Sequence, residues 1–150
     1  MRGTADLFSA GVPGMESGFI SWLDVTKRWL EEHDERLVWQ RGSEKLISGL
    51  QRQWEVASRH DKKEAVALAG RLSEQEGQLN FNRLMISIFE DAWSGLTVKE
   101  QRLLGTIHRQ GLSRTEAIAD LCIDFDCSVS TVRRHYSKAL MRFKKLLLGQ

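Results

Sequence analysis

Apolar residues return every three or four positions along most of this chain, separated by short polar stretches. Phe19, Ile20, Trp22, Leu23, Thr26, Trp29, Leu30 and Leu37 fit one face of a helix ending near Glu35 to Trp39. A break is expected at Gly42 and Ser43, before a second amphipathic helix with Leu46, Ile47, Leu50, Trp54 and Ala57. After a polar turn at His60 to Lys63, Ala65, Val66, Leu68, Ala69 and Leu72 begin a third helix. Ser73 and Glu76 have capping-box spacing, so the chain either restarts there or continues to Leu79. Phe81, Leu84, Met85, Ile88, Phe89 and Trp93 form the next apolar face, with Gly95 as its stop. No strand-like alternation competes anywhere, so the fold class read from the pattern is all-α.

The last third is more sharply punctuated. Thr97 and Glu100 repeat the capping-box signature and open a helix with Leu103, Leu104 and Ile107 inside, ended by Gly111. Ser113 and Glu116 open another, with Leu112 placed to staple against Ala117, and Ala117, Ile118 and Leu121 as its apolar stripe. A short break at Asp124 to Cys127 follows, and Ser128 caps a final helix. Its inward positions are Val132, Tyr136, Ala139, Leu140 and Phe143. The opposite face carries Ser130, Thr131, Arg134, His135, Lys138, Arg142 and Lys145. Two capped helices joined by a short turn are the pattern of a helix-turn-helix. Hydroxyls at the start of the second helix and cations along it suit base edges and phosphates in a major groove.

Charge sharpens this reading. The net charge is +2, but it is unevenly placed. From Leu96 onward ten Lys/Arg face five Asp/Glu, giving +5, whereas residues 1–95 hold twelve against fifteen, giving −3. From Ser128 to the end there are six cations (Arg133, Arg134, Lys138, Arg142, Lys144, Lys145) and no acid. Such a block beside a polyanion displaces condensed counterions, so binding weakens as salt rises. A solvated basic helix face is the plain alternative, and the capped helix pair before the block is what favours DNA.

T-V-K-E-Q-R-L-L (Thr97 to Leu104), G-L-S-R-T-E-A-I-A (Gly111 to Ala119) and S-V-S-T-V-R-R-H-Y-S-K-A-L (Ser128 to Leu140) resemble region 4 of bacterial sigma factors. They also resemble the C-terminal domains of small phage and prophage transcription activators of Gram-positive bacteria. In both, a helix beginning L-T-x-x-E precedes a helix-turn-helix ending S-T-V-x-R-x-x-x-x-A-L. The resemblance covers about the last third of the chain, and S-T-V-R-R-H with the following A-L is its most specific part. A helical N-terminal segment without a domain for the −10 element places the chain nearer the phage activators. The resemblance implies that Ser128 caps and touches phosphate, and that Ser130, Thr131, Arg133 and Arg134 approach bases and backbone. It implies that Lys138 reaches phosphate further along. Arg134 leads as a bidentate guanine contact, with phosphate contact the alternative for any single arginine. Arg114, at the first helix start, is a weaker phosphate candidate, and His135, Arg142 and Lys145 complete the candidate surface. The chain departs from the family in two places. Sigma-type domains use a tight glycine-containing turn, of the type L-G-V-S; here Leu121 is followed by the longer, glycine-free C-I-D-F-D-C-S. Either the first helix runs past Cys122 or the turn bulges with Phe125 in the core. Val129 stands where the family commonly has a polar or basic residue; it either meets a thymine methyl or is a plain surface or core valine.

Residues 1–16 form an unpatterned tail containing the single proline, Pro13, and are expected to be disordered. The tail lacks the charged and apolar regions of a signal peptide, and no stretch could span a membrane, so a cytoplasmic protein is expected. Residues 17–95 read as a helical interaction or dimerisation region and residues 96–150 as the DNA-binding domain. All five tryptophans (Trp22, Trp29, Trp39, Trp54, Trp93) lie in the first region. They are either core or an aromatic surface for a partner. The acids Glu31, Glu32, Asp34 and Glu35 turn this region from DNA toward protein, for a homodimer or for docking on RNA polymerase. Cys122 and Cys127, with His108 and His135, lack the ligand spacing of a zinc site and read as buried thiols. No metal, cofactor or catalytic motif is expected. The sequence thus points to a sigma-like, sequence-specific regulator of transcription that binds double-stranded DNA with RNA polymerase. The alternatives are a phage DNA-binding accessory protein for packaging or recombination, and a polymerase-binding module with an idle DNA face.

Overall fold

The computed structural model describes residues 21–149. The tail expected to be disordered and the apolar positions Phe19 and Ile20 lie outside them. The described residues form five helices and no strand: α1 (Trp22–His60), α2 (Lys62–Ser94), α3 (Val98–His108), α4 (Arg114–Phe125) and α5 (Val129–Leu148). Among the described residues, no helix is long and apolar enough to cross a membrane.

The first two helices correct the sequence reading. The break expected at Gly42 and Ser43 is absent, for α1 runs unbroken through both. Nor does the chain restart at Ser73, which lies inside the continuous α2. A helix-interior glycine costs about 1 kcal/mol relative to alanine. Here the residues on both sides of Gly42 share one buried stripe, and that burial outweighs the local preference. Ser43 itself belongs to the stripe and is only 5% exposed. The true break is the single residue Asp61, whose Oδ1 accepts from the Glu64 amide at 3.1 Å and caps α2.

The chain divides into two compact units. His33–Glu90 is a helical hairpin about Asp61, with a core of Ile47, Leu50 and Ala57 from α1 and Ala65, Leu68, Leu72 and Leu79 from α2. Alternating steps of three and four along each helix are those of an antiparallel coiled coil. Polar contacts set the register. Asn82 Nδ2 donates to the Arg36 carbonyl at 2.9 Å, Arg83 pairs with Glu44 at 2.8 Å, and His33 stacks on Phe89 with ring centroids 3.8 Å apart. The tryptophans part company: Trp29 is buried, Trp22 and Trp93 are half-buried, and Trp39 and Trp54 are exposed.

Among the described residues, the second unit joins 21–32 with 91–149. Val25, Thr26, Trp29 and Leu30 from the start of α1 are buried, as are Leu103 and Leu104 of α3 and Ala117, Ile118 and Leu121 of α4. So are Val132, Tyr136, Ala139, Leu140 and Phe143 of α5. α3, α4 and α5 pack pairwise against one another. Trp93 meets Phe143 edge-on, with centroids 6.0 Å apart and planes at 84°, a favoured aromatic geometry.

Candidate nucleic-acid interface

Each of the three C-terminal helices starts on a cap that the sequence encodes. Thr97 Oγ1 accepts from the Glu100 amide at 3.1 Å, while Glu100 Oε1 accepts from the Thr97 amide at 2.8 Å. Ser113 and Glu116 form the same reciprocal pair at 3.2 and 3.3 Å. Ser128 Oγ accepts from the Thr131 amide at 3.2 Å. It also lies 3.1 Å from Ser130 Oγ and 3.0 Å from Thr131 Oγ1, so three hydroxyls gather at the start of α5. The first turn of α5 holds no acid, leaving the positive end of its dipole open toward an anion.

The connection from α4 to α5 shows how the chain turns without glycine. α4 continues past Cys122 to Phe125, and Asp126 then adopts φ 48°, ψ 56°, the left-handed conformation. The Asp126 amide donates to the Ile123 carbonyl at 3.4 Å and the Cys127 amide to the Cys122 carbonyl at 3.2 Å. These are the paired hydrogen bonds of a Schellman ending, with aspartate where glycine is usual. Of the two arrangements open at the sequence level, the extended first helix is the one observed. Phe125 is half-buried beneath the Lys99 ammonium, 5.4 Å from its ring centroid. Cys122 and Cys127 are free, half-buried thiols. Among the described residues, no group of three or more His, Cys, Asp or Glu could hold a metal.

On α5 the candidate residues separate into three sets. Ser130, Arg134, Lys138 and Lys145 share the face opposite the buried stripe and are exposed, and Arg134, Lys138 and Lys145 have no hydrogen-bonding or ionic partner among the described residues. Arg133 is also exposed, on the flank of that face, and Thr131 is half-buried beside the cap. Arg142 and His135 lie on the other flank, against α3. Arg142 Nε pairs with Glu100 at 3.3 Å and its NH2 group donates to the Gly95 carbonyl at 3.1 Å, so its guanidinium is already occupied. His135 is half-buried, with an Nδ1 that is shielded from solvent and has no partner. Desolvation and then the cations Lys99, Arg134 and Lys138 push its pKa down. The structure therefore brings the hydroxyl cluster, Arg134, Lys138 and Lys145 onto one open surface, while Arg142 and His135 turn toward α3.

Arg114, the first residue of α4, is exposed but lies over the Tyr136 ring, 5.0 Å from its centroid. Tyr136 leads into a polar relay that the sequence did not reveal. Its hydroxyl is 2.7 Å from His108 Nε2, and His108 Nδ1 is 3.0 Å from Glu31 Oε2. The His108 side chain is 5% exposed. Burial pulls its pKa below the usual histidine value despite the opposing Glu31 carboxylate, and burial also raises that of Tyr136. The relay ties the start of α1 to the end of α3 and the middle of α5. Arg102 Nε, 3.0 Å from Asp124 Oδ2, adds a clasp between α3 and α4.

Two apolar residues on the polar surface also escaped the sequence reading or were left open by it. Met141, 48% exposed, sits between Lys138 and Lys145 on the outer face, and Val129, 44% exposed, stands at the first position of α5. Steps of three and four from Arg134 would have located Met141; for Val129 the helix-start position alone was visible. No family model, no curated protein and no solved structure matches this chain.

Proposed function

We propose that this chain is a sequence-specific, double-stranded-DNA-binding regulator of transcription. It works as a sigma-like activator domain at promoters with RNA polymerase, in the cytoplasm, in the manner of small phage and prophage activators. The observation that carries the reading is the open face of α5. A capped helix start with three hydroxyls is followed on the same face by Arg134, Lys138 and Lys145, all exposed. A helix so furnished offers short polar groups to base edges near its N-terminus and cations to phosphates along the groove wall. In this reading Ser130, Arg134 and Arg133 approach bases, Val129 meets a thymine methyl, and Lys138 and Lys145 contact phosphate. Arg142 and the Glu31–His108–Tyr136 relay hold the helix in place rather than touch DNA. Arg114 supplies a phosphate contact from the start of α4 while resting on Tyr136.

Selection of binding sites from a random duplex pool, at near-physiological salt with the purified chain, tests this. A defined motif is expected, and a promoter carrying it should change polymerase output when the protein is added. Absence of enrichment would overturn sequence recognition. A motif without any effect on transcription would instead place the chain among DNA-handling accessory proteins.

A further inference from the structure

The turn that ends α4 brings the two cysteines of the chain together. In a continuing helix, residues five apart point about 140° away from each other around the axis. Left-handed Asp126, at φ 48°, prevents this by folding the chain back over the last turn of α4. A Schellman ending draws together the side chains of the two residues joined by its outer, six-to-one hydrogen bond. Here those residues are Cys122 and Cys127, the Cys127 amide donating to the Cys122 carbonyl at 3.2 Å.

That hydrogen bond limits the distance between the two residues. With standard bonds on either side of it, their Cα atoms could stand about 7 Å apart only if every atom lay in one line. The angles at the amide and the carbonyl shorten the span into the range of about 4.4–6.8 Å that disulfides occupy. Both thiols are free and half-buried. The segment around them is open, with Ile123 80% exposed and Asp124, Asp126 and Ser128 exposed as well. A small thiol reagent can therefore reach the pair. The chain has two cysteines in all, so each is the only intramolecular partner of the other. Among the described residues they belong to no group of three or more His, Cys, Asp or Glu that could hold a metal. The pair is thus furnished for sulfur–sulfur chemistry rather than for metal binding.

We propose that Cys122 and Cys127 are a reversible dithiol that closes into a disulfide across the α4–α5 turn by exchange with a small-molecule disulfide such as oxidised glutathione. One cysteine thiolate attacks the reagent, forming a mixed disulfide and releasing one glutathione thiolate. The second cysteine thiolate attacks the protein-side sulfur of that mixed disulfide and expels the other. The two protons given up by the cysteines end on the two glutathiones. The protein is oxidised by two electrons and the reagent is reduced by two. In a reducing compartment the pair rests open and closes when the load of oxidised thiol rises. The bridge would tie Cys127, the residue before the Ser128 cap of α5, to the last turn of α4.

The proposal is independent of the DNA reading, and its test contains no DNA. The reduced full chain is equilibrated with mixtures of reduced and oxidised glutathione, quenched with acid and weighed by mass spectrometry. A species lighter by two hydrogens should dominate over any glutathione adduct. Cys122→Ser and Cys127→Ser should each carry one glutathione instead. The decisive comparison repeats the wild-type equilibrium in enough urea to unfold the chain. The ratio of bridged to open protein should fall at least about fivefold there, because the unfolded segment no longer holds the sulfurs together. A smaller change would show that the turn does not favour the bridge and would overturn the proposal. So would a folded wild-type chain that takes up two glutathiones without closing, or one whose disulfides join two copies at doubled mass.

Discussion

The left-handed residue between α4 and α5 offers a direct test of how this turn is made. Asp126 holds φ 48°, a region that costs an L-residue roughly 1–2 kcal/mol, less for aspartate with its short polar side chain. Its side chain is exposed and has no hydrogen-bond partner among the described residues, so little else is lost by removing it. Asp126→Gly removes the Cβ conflict but gives the unfolded chain more freedom. The balance is expected to stabilise the domain by about 0.5–1 kcal/mol. Asp126→Ala keeps the conflict in a residue that tolerates the left-handed region less well than aspartate, so it should destabilise by about 0.5–1 kcal/mol. For a chain of this length the two variants should then differ by roughly 2–8 °C in melting temperature. Circular dichroism of thermal unfolding, run on wild type and both variants, reads this order. If alanine proved as stable as glycine, the backbone conformation would not be limiting and the account of this turn would be wrong.

Other consequences are as open to measurement. Arg134→Ala should cost about 1–3 kcal/mol at one base position of the selected site, whereas Lys145→Ala should weaken all sequences alike and reduce the salt slope by about 0.9; equal, sequence-blind losses from both would refute direct base reading by Arg134. Phe143, fully buried at 0% exposure against Trp93, should lose about 3–5 kcal/mol of stability on change to alanine, read by urea denaturation. A loss below 1 kcal/mol would contradict the packing described. Because burial lowers the His108 pKa, the unfolded chain takes up a proton at higher pH than the folded one. The associated stability is complete above about pH 6.5 and is lost as pH falls from there toward the lowered folded value. His108→Gln should flatten that acid-side slope in melting temperature, leaving a remnant from His135, whose pKa is lowered too. An undiminished slope would show that His108 is not the titrating group.

What the sequence disclosed was local. The caps at Thr97, Ser113 and Ser128 were legible because each is settled within three residues, by a hydroxyl and the amide it serves. The inward positions of α5 were legible because one periodicity runs unbroken from Val132 to Phe143. Distance hid the rest. Arg142 reads as one more cation until Glu100 and the Gly95 carbonyl, more than forty residues earlier, come beside it. The relay from Glu31 through His108 to Tyr136 joins three segments with no common motif. Gly42 and Ser73 looked like breaks because glycine and a capping pair are local signals. Packing along the hairpin overrode both. Asp126 was missed for the opposite reason: the turn needs a left-handed residue, and glycine was the one sought.

The hairpin also constrains how this chain can change its length. Its two helices face each other along seven-residue repeats counted outward from Asp61, with Asn82 bonded to Arg36 and Arg83 to Glu44 as fixed marks along that count. Losing one residue from either helix would turn everything beyond it by about 100° and carry buried positions into water. Loss of seven residues from one helix would restore the faces but leave the marks opposed to strangers. Only matched heptads, one removed from α1 and one from α2 between the tip and those marks, keep both. Natural length variants of this protein should therefore differ in the hairpin by paired multiples of seven, with gaps placed symmetrically about the tip.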